Sequence, residues 1–188
     1  MLYDTNDLDA TKIYHLMAKT IIPRPIAWII TQLNGVINIA PFSFFMPASS
    51  SPATLIVSIG KKSDGSDKDT FHNIKTTNKC TICMVDEYNL EKMHFSSKEL
   101  SAEISEAKEF DIQTEIFSDG FPPKIKNATV AYACSFNQEI DLGDSRTIPL
   151  VLNVHKIFID ENKELKPVAR VAREYAFLGE NIKAPIIS

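Results

Sequence analysis

Two neighbouring stretches of the chain combine apolar side chains with small hydroxyl and amide groups. Residues 38–45 read N-I-A-P-F-S-F-F, and residues 49–51 are three consecutive serines. Aromatic and aliphatic side chains can cover the plane of a flat ligand, while main-chain and hydroxyl groups at a strand end bond its edge. The two stretches therefore predict a wall for a planar heterocycle. The alternative is that the three phenylalanines belong to the core.

A second candidate site lies where a polar loop, residues 60–68, meets a predicted helix. Lys68, Thr70 and the free N–H groups at the start of that helix would bind an anion, because a helix N-terminus carries partial positive charge and unpaired donors. Together, the planar site and the anion site indicate a phosphorylated aromatic cofactor. The alternative is that Asp69 or Thr70 only caps the helix.

Other kinds of catalytic site are disfavoured. The chain contains none of the motifs G-x-x-x-x-G-K, G-x-S-x-G or H-E-x-x-H, so nothing indicates a hydrolase. No metal site is predicted, because the histidines lie in unrelated segments. Cys80 and Cys83 are three apart in a β-prone run, and such residues point to opposite faces of a strand. They are interpreted as small buried apolar residues rather than as a metal or redox pair.

The composition is that of one ordinary globular domain. The 188 residues are 44% hydrophobic and 23% charged, which predicts a single domain over residues 1–188. The net charge of −4 disfavours nucleic acid and anionic membranes as partners. The chain has no leader-like N-terminus and no apolar run of about 18 residues. Its odd number of cysteines fits a reducing compartment, so the sequence predicts a cytoplasmic protein.

The hydrophobic pattern predicts mainly short antiparallel strands. A helix follows Asp9 or Thr11, and Asn34-Gly35 joins two strands in a hairpin. Further strands are expected at residues 54–59, 80–85, 128–140 and 148–159, with residues 47–52 as a tight connection. With only short helices between them, these strands favour an antiparallel barrel. The acidic segment, residues 98–115, is expected to lie exposed over the core without a chemical role.

The order of the motifs resembles the flavin reductase-like family of FMN-binding split-barrel flavoproteins. P-R-P-I-A-W at residues 23–28 is followed by Asn34-Gly35, by residues 38–45, by S-I-G and by K-D-T-F-H-N-I at residues 68–74. Later segments agree, among them F-P-P-K-I at residues 121–125 and L-G-E at residues 178–180. The resemblance covers roughly residues 10–180.

This resemblance implies a mainly β fold, a six-stranded antiparallel Greek-key split β-barrel with short peripheral helices. It also implies a homodimer with FMN near the subunit interface and substrate contacts from Arg170 and Tyr175 across that interface. The cofactor contacts that the family pattern implies are Trp28, Thr31, Asn38, Ala40, Pro41, Phe42, Ser43, Ser49, Ser50, Lys68 and Thr70.

The implied activity is an oxidoreductase that passes electrons from NADH or NADPH through bound FMN to flavin or a small acceptor. The isoalloxazine ring carries such chemistry itself, so no catalytic side chain is assigned. Two alternatives remain open. One is a non-catalytic FMN-binding electron-transfer protein that another protein reduces, and the other is a barrel that has lost its cofactor and serves as an interaction module.

Overall fold

An antiparallel sheet of seven strands is the main element of the computed structural model, which describes residues 1–181 and Lys183. The strands are β1 (Arg24–Pro25), β2 (Ala27–Leu33), β3 (Val36–Phe42), β4 (Phe45–Ser50), β5 (Ala53–Gly60), β6 (Lys79–Met84), β7 (Thr114–Glu115), β8 (Lys124–Ile125), β9 (Val130–Glu139), β10 (Thr147–Ile159), β11 (Val168–Val171) and β12 (Glu174–Phe177). The helices are α1 (Ala10–Thr20), α2 (Asp69–Thr77), α3 (Leu90–Phe95) and α4 (Glu106–Glu109), with 3-10 turns at Thr5–Asp7 and Glu87–Asn89.

The main sheet curls into a partly closed barrel. Its strand order is β3-β2-β6-β9-β10-β5-β4, so β3 and β4 lie at opposite edges. Only Ser43 and Phe44 connect these two strands along the chain. Two residues cannot span a flat sheet of seven strands, whose neighbours lie about 4.8 Å apart. The two edges must therefore meet where β3 passes into β4.

The main sheet has seven strands, not the six that were expected. The prediction of a tight connection over residues 47–52 was wrong for most of that range, because β4 continues to Ser50 and pairs along β5. Pro47 is compatible with this pairing because β4 is an edge strand. The prediction of a mainly β, antiparallel fold with short helices is confirmed.

Local signals in the sequence explain the first helix and the first hairpin. The Asp9 side chain accepts a hydrogen bond of 2.8 Å from the Lys12 N–H, and it caps α1 as predicted. Asn34 and Gly35 have φ angles of 51° and 81°, which a two-residue turn of type I′ requires at both positions. β2 and β3 pair on either side of this turn, from Leu33 with Val36 to Ala27 with Phe42.

Apolar side chains fill both faces of the central strands. One cluster contains Ile29, Ile82 and Leu150 and draws residues from β2, β3, β5, β6, β9 and β10, so it is the barrel interior. The other contains Trp28 and Met93 and lies between the outer face and α3.

Within the described residues, no helix is long and apolar enough to span a membrane.

The cysteines follow the predicted strand geometry. Cys80 lies in the interior cluster and Cys83 in the outer one, which confirms that they point to opposite faces of β6. Cys80 is directly opposite Cys134 in the pairing of β6 with β9. All three thiols are buried, and burial raises the pKa of Cys83 to about 12. At neutral pH this side chain is a neutral apolar group.

Candidate functional site

The C-terminal end of β3 borders a surface pocket of about 220 Å³, which we call the strand-end pocket. The residues that line it come from α1, β3, α3, the β11–β12 hairpin and the links next to these elements or to β2: Tyr14, Ile26, Pro41, Phe42, Ser43, Met93, His94, Ser97, Arg170 and Tyr175. Three predicted flavin contacts and both predicted substrate residues thus share one wall. The substrate residues were expected to contribute across a subunit interface, whereas here they meet the flavin residues within one chain.

Three polar side chains make one connected group in this pocket. Arg170 and Tyr175 are directly opposite in the pairing of β11 with β12, and the Arg170 guanidinium lies 4.6 Å from the centre of the Tyr175 ring. The Tyr175 hydroxyl is 2.9 Å from Nδ1 of His94. His94 was missed in the sequence, because a single histidine on a short helix carries no spacing signal. Its hydrogen bond with Tyr175 places an exchangeable proton at the pocket wall.

The predicted anion site already holds an oxyanion from the protein itself. A carboxylate oxygen of Glu99 lies 3.3 Å from Nζ of Lys68, and the carboxylate accepts hydrogen bonds of 3.2 and 2.9 Å from the N–H and hydroxyl of Ser63. The bonds from Ser63, and then that from Lys68, lower the pKa of Glu99. The loop before α2 therefore provides donors that stabilise a negative charge.

Thr70 lies behind Lys68 and connects this loop to β3. Its hydroxyl is buried and accepts a hydrogen bond of 3.2 Å from the side-chain amide of Asn38. Lys68 occupies the position before the first turn of α2, and no side chain caps that turn. The alternative in which Asp69 or Thr70 only caps the helix is thus not realised. The donors at the N-terminus of α2 remain part of the candidate anion site.

The side chains of Trp28 and Thr31 lie inside the protein and do not line the strand-end pocket. The Trp28 ring is completely buried in the outer cluster, and its indole N–H donates a 2.9 Å hydrogen bond to the Ser96 hydroxyl. The Thr31 side chain is completely buried as well and accepts from the Asn73 side chain at 3.0 Å. Both side chains are enclosed within the single chain, as that of Thr70 is, because β2 is an inner strand of the sheet. Their contact with a flavin stays a prediction.

Ser49 and Ser50 are not brought to the pocket. Both are exposed on the edge strand β4, and the Ser49 hydroxyl accepts a hydrogen bond of 3.2 Å from the Ser51 N–H. In the part of the chain that the structure describes, neither of them lines the strand-end pocket. The expectation that they lie beside a flavin ring depends on an arrangement beyond the single chain.

The acidic segment is not simply an exposed surface, and that expectation was wrong for two of its residues. Glu106 is only 7% exposed and accepts a 2.9 Å hydrogen bond from the main-chain N–H of Ile39. Ser105 donates at 2.6 Å to the carbonyl of Ile37. These side chains cover the outer edge of β3, and burial raises the pKa of Glu106. Glu99 in turn contacts the anion site.

The cover over β3 ends just before the strand-end pocket. Main-chain groups of alternate residues on an edge strand face away from the sheet. Ile37 and Ile39 are bonded on that outer side, so the same alternation turns the main chain of Pro41 and then Ser43 outward. Proline has no N–H to leave unpaired there. The structure therefore leaves the Pro41 carbonyl and the main chain of Ser43 at the pocket for a ligand edge, while Phe42 pairs with Ala27 on β2.

Comparisons with known proteins agree on one family and fold. A sequence model described as "Flavin reductase like domain" matches residues 17–179. An uncharacterized protein from Halalkalibacterium halodurans is 31% identical, with 100% of this chain and 98% of that protein covered. Nitrilotriacetate monooxygenase component B from Bacillus cereus has a similar structure, with a TM-score of 0.91, 26% identity and 98% of each chain covered.

A third similar structure is an FMN-binding protein from Thermus thermophilus with bound p-hydroxybenzaldehyde. It has a TM-score of 0.76 and 16% identity, and the match covers 89% of this chain and 93% of that one. At this identity the likeness shows the fold alone. The fold is the one expected from the order of motifs, because a protein with a split barrel domain from Shewanella frigidimarina also superimposes with a TM-score of 0.82, at 19% identity and with 100% of each chain covered.

Proposed function

Because this chain belongs to the flavin reductase-like family, we propose that it binds FMN and passes electrons from NADH or NADPH to flavin or a small acceptor. The observation that carries the proposal is the uncovered end of edge strand β3, which lies between two partial sites. The strand-end pocket adjoins residues 41–43, and the anion site is joined to the same strand through Asn38 and Thr70. A ligand with a flat polar edge and a phosphate needs both.

The residues present fit FMN at the phosphate end. Lys68 and the N–H and hydroxyl of Ser63 already hold the Glu99 carboxylate, so the same donors can hold the oxygens of a phosphate. The Thr70 hydroxyl accepts from Asn38, which leaves its own hydrogen for an anion. Lys68, Ser63, Thr70 and the N-terminus of α2 are thus the proposed phosphate site.

At the other end, the Pro41 carbonyl and the main chain of Ser43 would bond the edge of the flavin ring. Bound FMN would supply the redox chemistry, since isoalloxazine accepts a hydride and releases electrons one or two at a time. The chain would orient the ring and exclude water from one of its faces with Phe42 and Met93. Arg170, Tyr175 and His94 would face the reaction partner in the same pocket.

We further propose that the protein is a homodimer. Ser49 and Ser50 are exposed on edge strand β4, and neither lines the strand-end pocket of the same chain. A second copy would give these serines, and the exposed side chain of Met46, a partner surface. The mass of the protein in solution at micromolar concentration tests this proposal, and a monomeric mass would contradict it.

The visible spectrum of the purified protein tests the activity directly. After addition of FMN and removal of oxygen, NADH and then NADPH are added in the same cuvette. We expect flavin bands that bleach rapidly with one or both donors. Bands that persist would instead support a carrier that another protein reduces. A protein that takes up no FMN would contradict the proposal altogether.

Replacing Glu99 by glutamine should tighten FMN binding by about two- to fivefold, the range expected for one partly exposed ion pair. The substitution removes the carboxylate that competes with the phosphate for Lys68 and Ser63. Titration with FMN and with riboflavin measures the effect, and riboflavin should bind unchanged because it has no phosphate. Glu103→Gln in the same acidic segment is the matched control. Weaker FMN binding by Glu99→Gln would argue against a phosphate site at Lys68.

A further inference from the structure

A second, larger pocket of about 670 Å³ adjoins the strand-end pocket, and we call it the cationic pocket. The two pockets share Tyr14 and Arg170. The cationic pocket is lined by Tyr14, His15, Ala18, Lys19, Arg170, Ala172 and Arg173. Three of these side chains are cations and none is a carboxylate. A lining of this kind attracts anions into the space beside the proposed ring site.

These cations have no acidic partner among the described residues. No carboxylate lies within 4.0 Å of Lys19, Arg170 or Arg173 there. The Arg173 guanidinium is instead 3.2 Å from Nε2 of His15, and Arg170 stacks on Tyr175. The absence of carboxylates from the lining of this pocket leaves the positive charge for a ligand.

A buried arginine reinforces the positive charge behind the pocket. Arg24 lies opposite Arg170 in the pairing of β1 with β11 and is only 6% exposed. Its pKa is lowered by burial, and the charge of Arg170 adds to that effect. Its guanidinium donates to the carbonyls of Ala18 and Ile21 at the end of α1, and its Nε has no hydrogen-bond partner among the residues that the structure describes.

Arg24 also fixes the two walls of the pocket to each other. Besides the end of α1, the guanidinium reaches the carbonyl of Ala172 at 3.4 Å. Ala172 has a φ of 48°, in the left-handed region, and it begins the two-residue turn that presents Arg173. The helix with His15 and Lys19 and the turn with Arg173 are therefore held together before any ligand arrives, which lowers the entropic cost of binding.

We infer that the cationic pocket binds the phosphate groups of the nicotinamide dinucleotide donor, with the nicotinamide end in the strand-end pocket. The inference rests on the proposed function and adds a binding site to it. One arginine is enough to bind a single carboxylate. The diphosphate of a dinucleotide has enough charged oxygens to accept hydrogen bonds from Lys19, Arg170 and Arg173 together. Tyr14 and Arg170 line both pockets, so the two adjoin there, and we place one extended ligand across them.

Binding of ADP tests this site without any redox reaction, because ADP has the diphosphate and lacks nicotinamide. Calorimetric titration is done with FMN in excess, so that a phosphate site at Lys68 is filled. The variant Lys19→Ala/Arg173→Ala should bind ADP about 10- to 100-fold more weakly than the unmodified protein. The matched control Arg146→Ala/Lys156→Ala removes two exposed positive charges elsewhere and should stay within about threefold.

Two results would overturn the inference. One is that the unmodified protein binds no ADP at millimolar concentration, and the other is that the pocket variant binds ADP as tightly as the control variant. FMN titration of the same proteins distinguishes either of these results from a failure of the proposed function. Failure to bind FMN contradicts the flavoprotein assignment, whereas loss of ADP binding with intact FMN binding concerns the cationic pocket alone.

Discussion

Replacing Lys68 and Thr70 together by alanine should weaken FMN binding by about 2–4 kcal/mol, the contribution of two hydrogen bonds to a charged group. Riboflavin binding should hardly change, because riboflavin has no phosphate for these residues to contact. The two dissociation constants, measured by fluorescence titration, check the prediction. The effect depends on the position of Lys68 before α2, where its Nζ already contacts an oxyanion of Glu99.

Two controls make this result specific. Lys75→Ala removes the same charge from the other end of α2, where Lys75 pairs with Glu139, and FMN affinity should stay within about twofold. Lys68→Ala alone keeps the hydrogen bond between Asn38 and Thr70, so it separates phosphate contact from packing. Equal losses for FMN and riboflavin in the double variant would place the phosphate elsewhere.

Replacing Trp28 by alanine should lower the free energy of unfolding by about 3–5 kcal/mol, the usual cost of truncating a large aromatic side chain in a core. Trp28 is completely buried in the outer cluster, and its indole N–H satisfies the buried hydroxyl of Ser96. The substitution leaves both a cavity and an altered polar contact. Urea unfolding measures the change, with Tyr88→Ala as a control at an exposed aromatic residue.

The milder variant Trp28→Phe distinguishes a core residue from a flavin contact. It keeps an aromatic ring and loses the hydrogen bond to Ser96, so a smaller destabilisation and a folded protein are expected. FMN should bind this variant within about twofold of the unmodified protein. A tenfold loss of FMN affinity in the folded variant would instead support the predicted contact between Trp28 and the flavin.

The location of the acidic segment has a consequence for the strand that carries the proposed site. β3 is an edge strand, and exposed edges can pair with other chains. Ser105 and Glu106 bond the outer main chain at Ile37 and Ile39 and stop before Pro41. The same segment thus protects one part of the edge and leaves the next part open to a ligand. Glu99, which precedes Ser105 in the same segment, contacts Lys68 of the proposed phosphate site.

The sequence by itself determined the features that depend on neighbouring residues. Asp9 caps α1, and Asn34-Gly35 sets the turn of the first hairpin because both positions need a positive φ. The alternation along β6 separates Cys80 from Cys83. In each case the relevant forces act within a few residues, so type and spacing were enough. The order of motifs was also sufficient to indicate the family.

Only the tertiary structure decided which side of each element is buried and which distant residues meet. The residues around Trp28 and Ser43 do not show that the Trp28 side chain is buried against α3 or that Ser43 lines the strand-end pocket. Glu106 is buried because the chain returns to the edge of β3 some 67 residues after Ile39. The cationic pocket joins His15 to Arg173 across 158 residues. Such contacts depend on how strands far apart in the chain pair and on the curvature of the whole sheet, and the residues near each position do not set either.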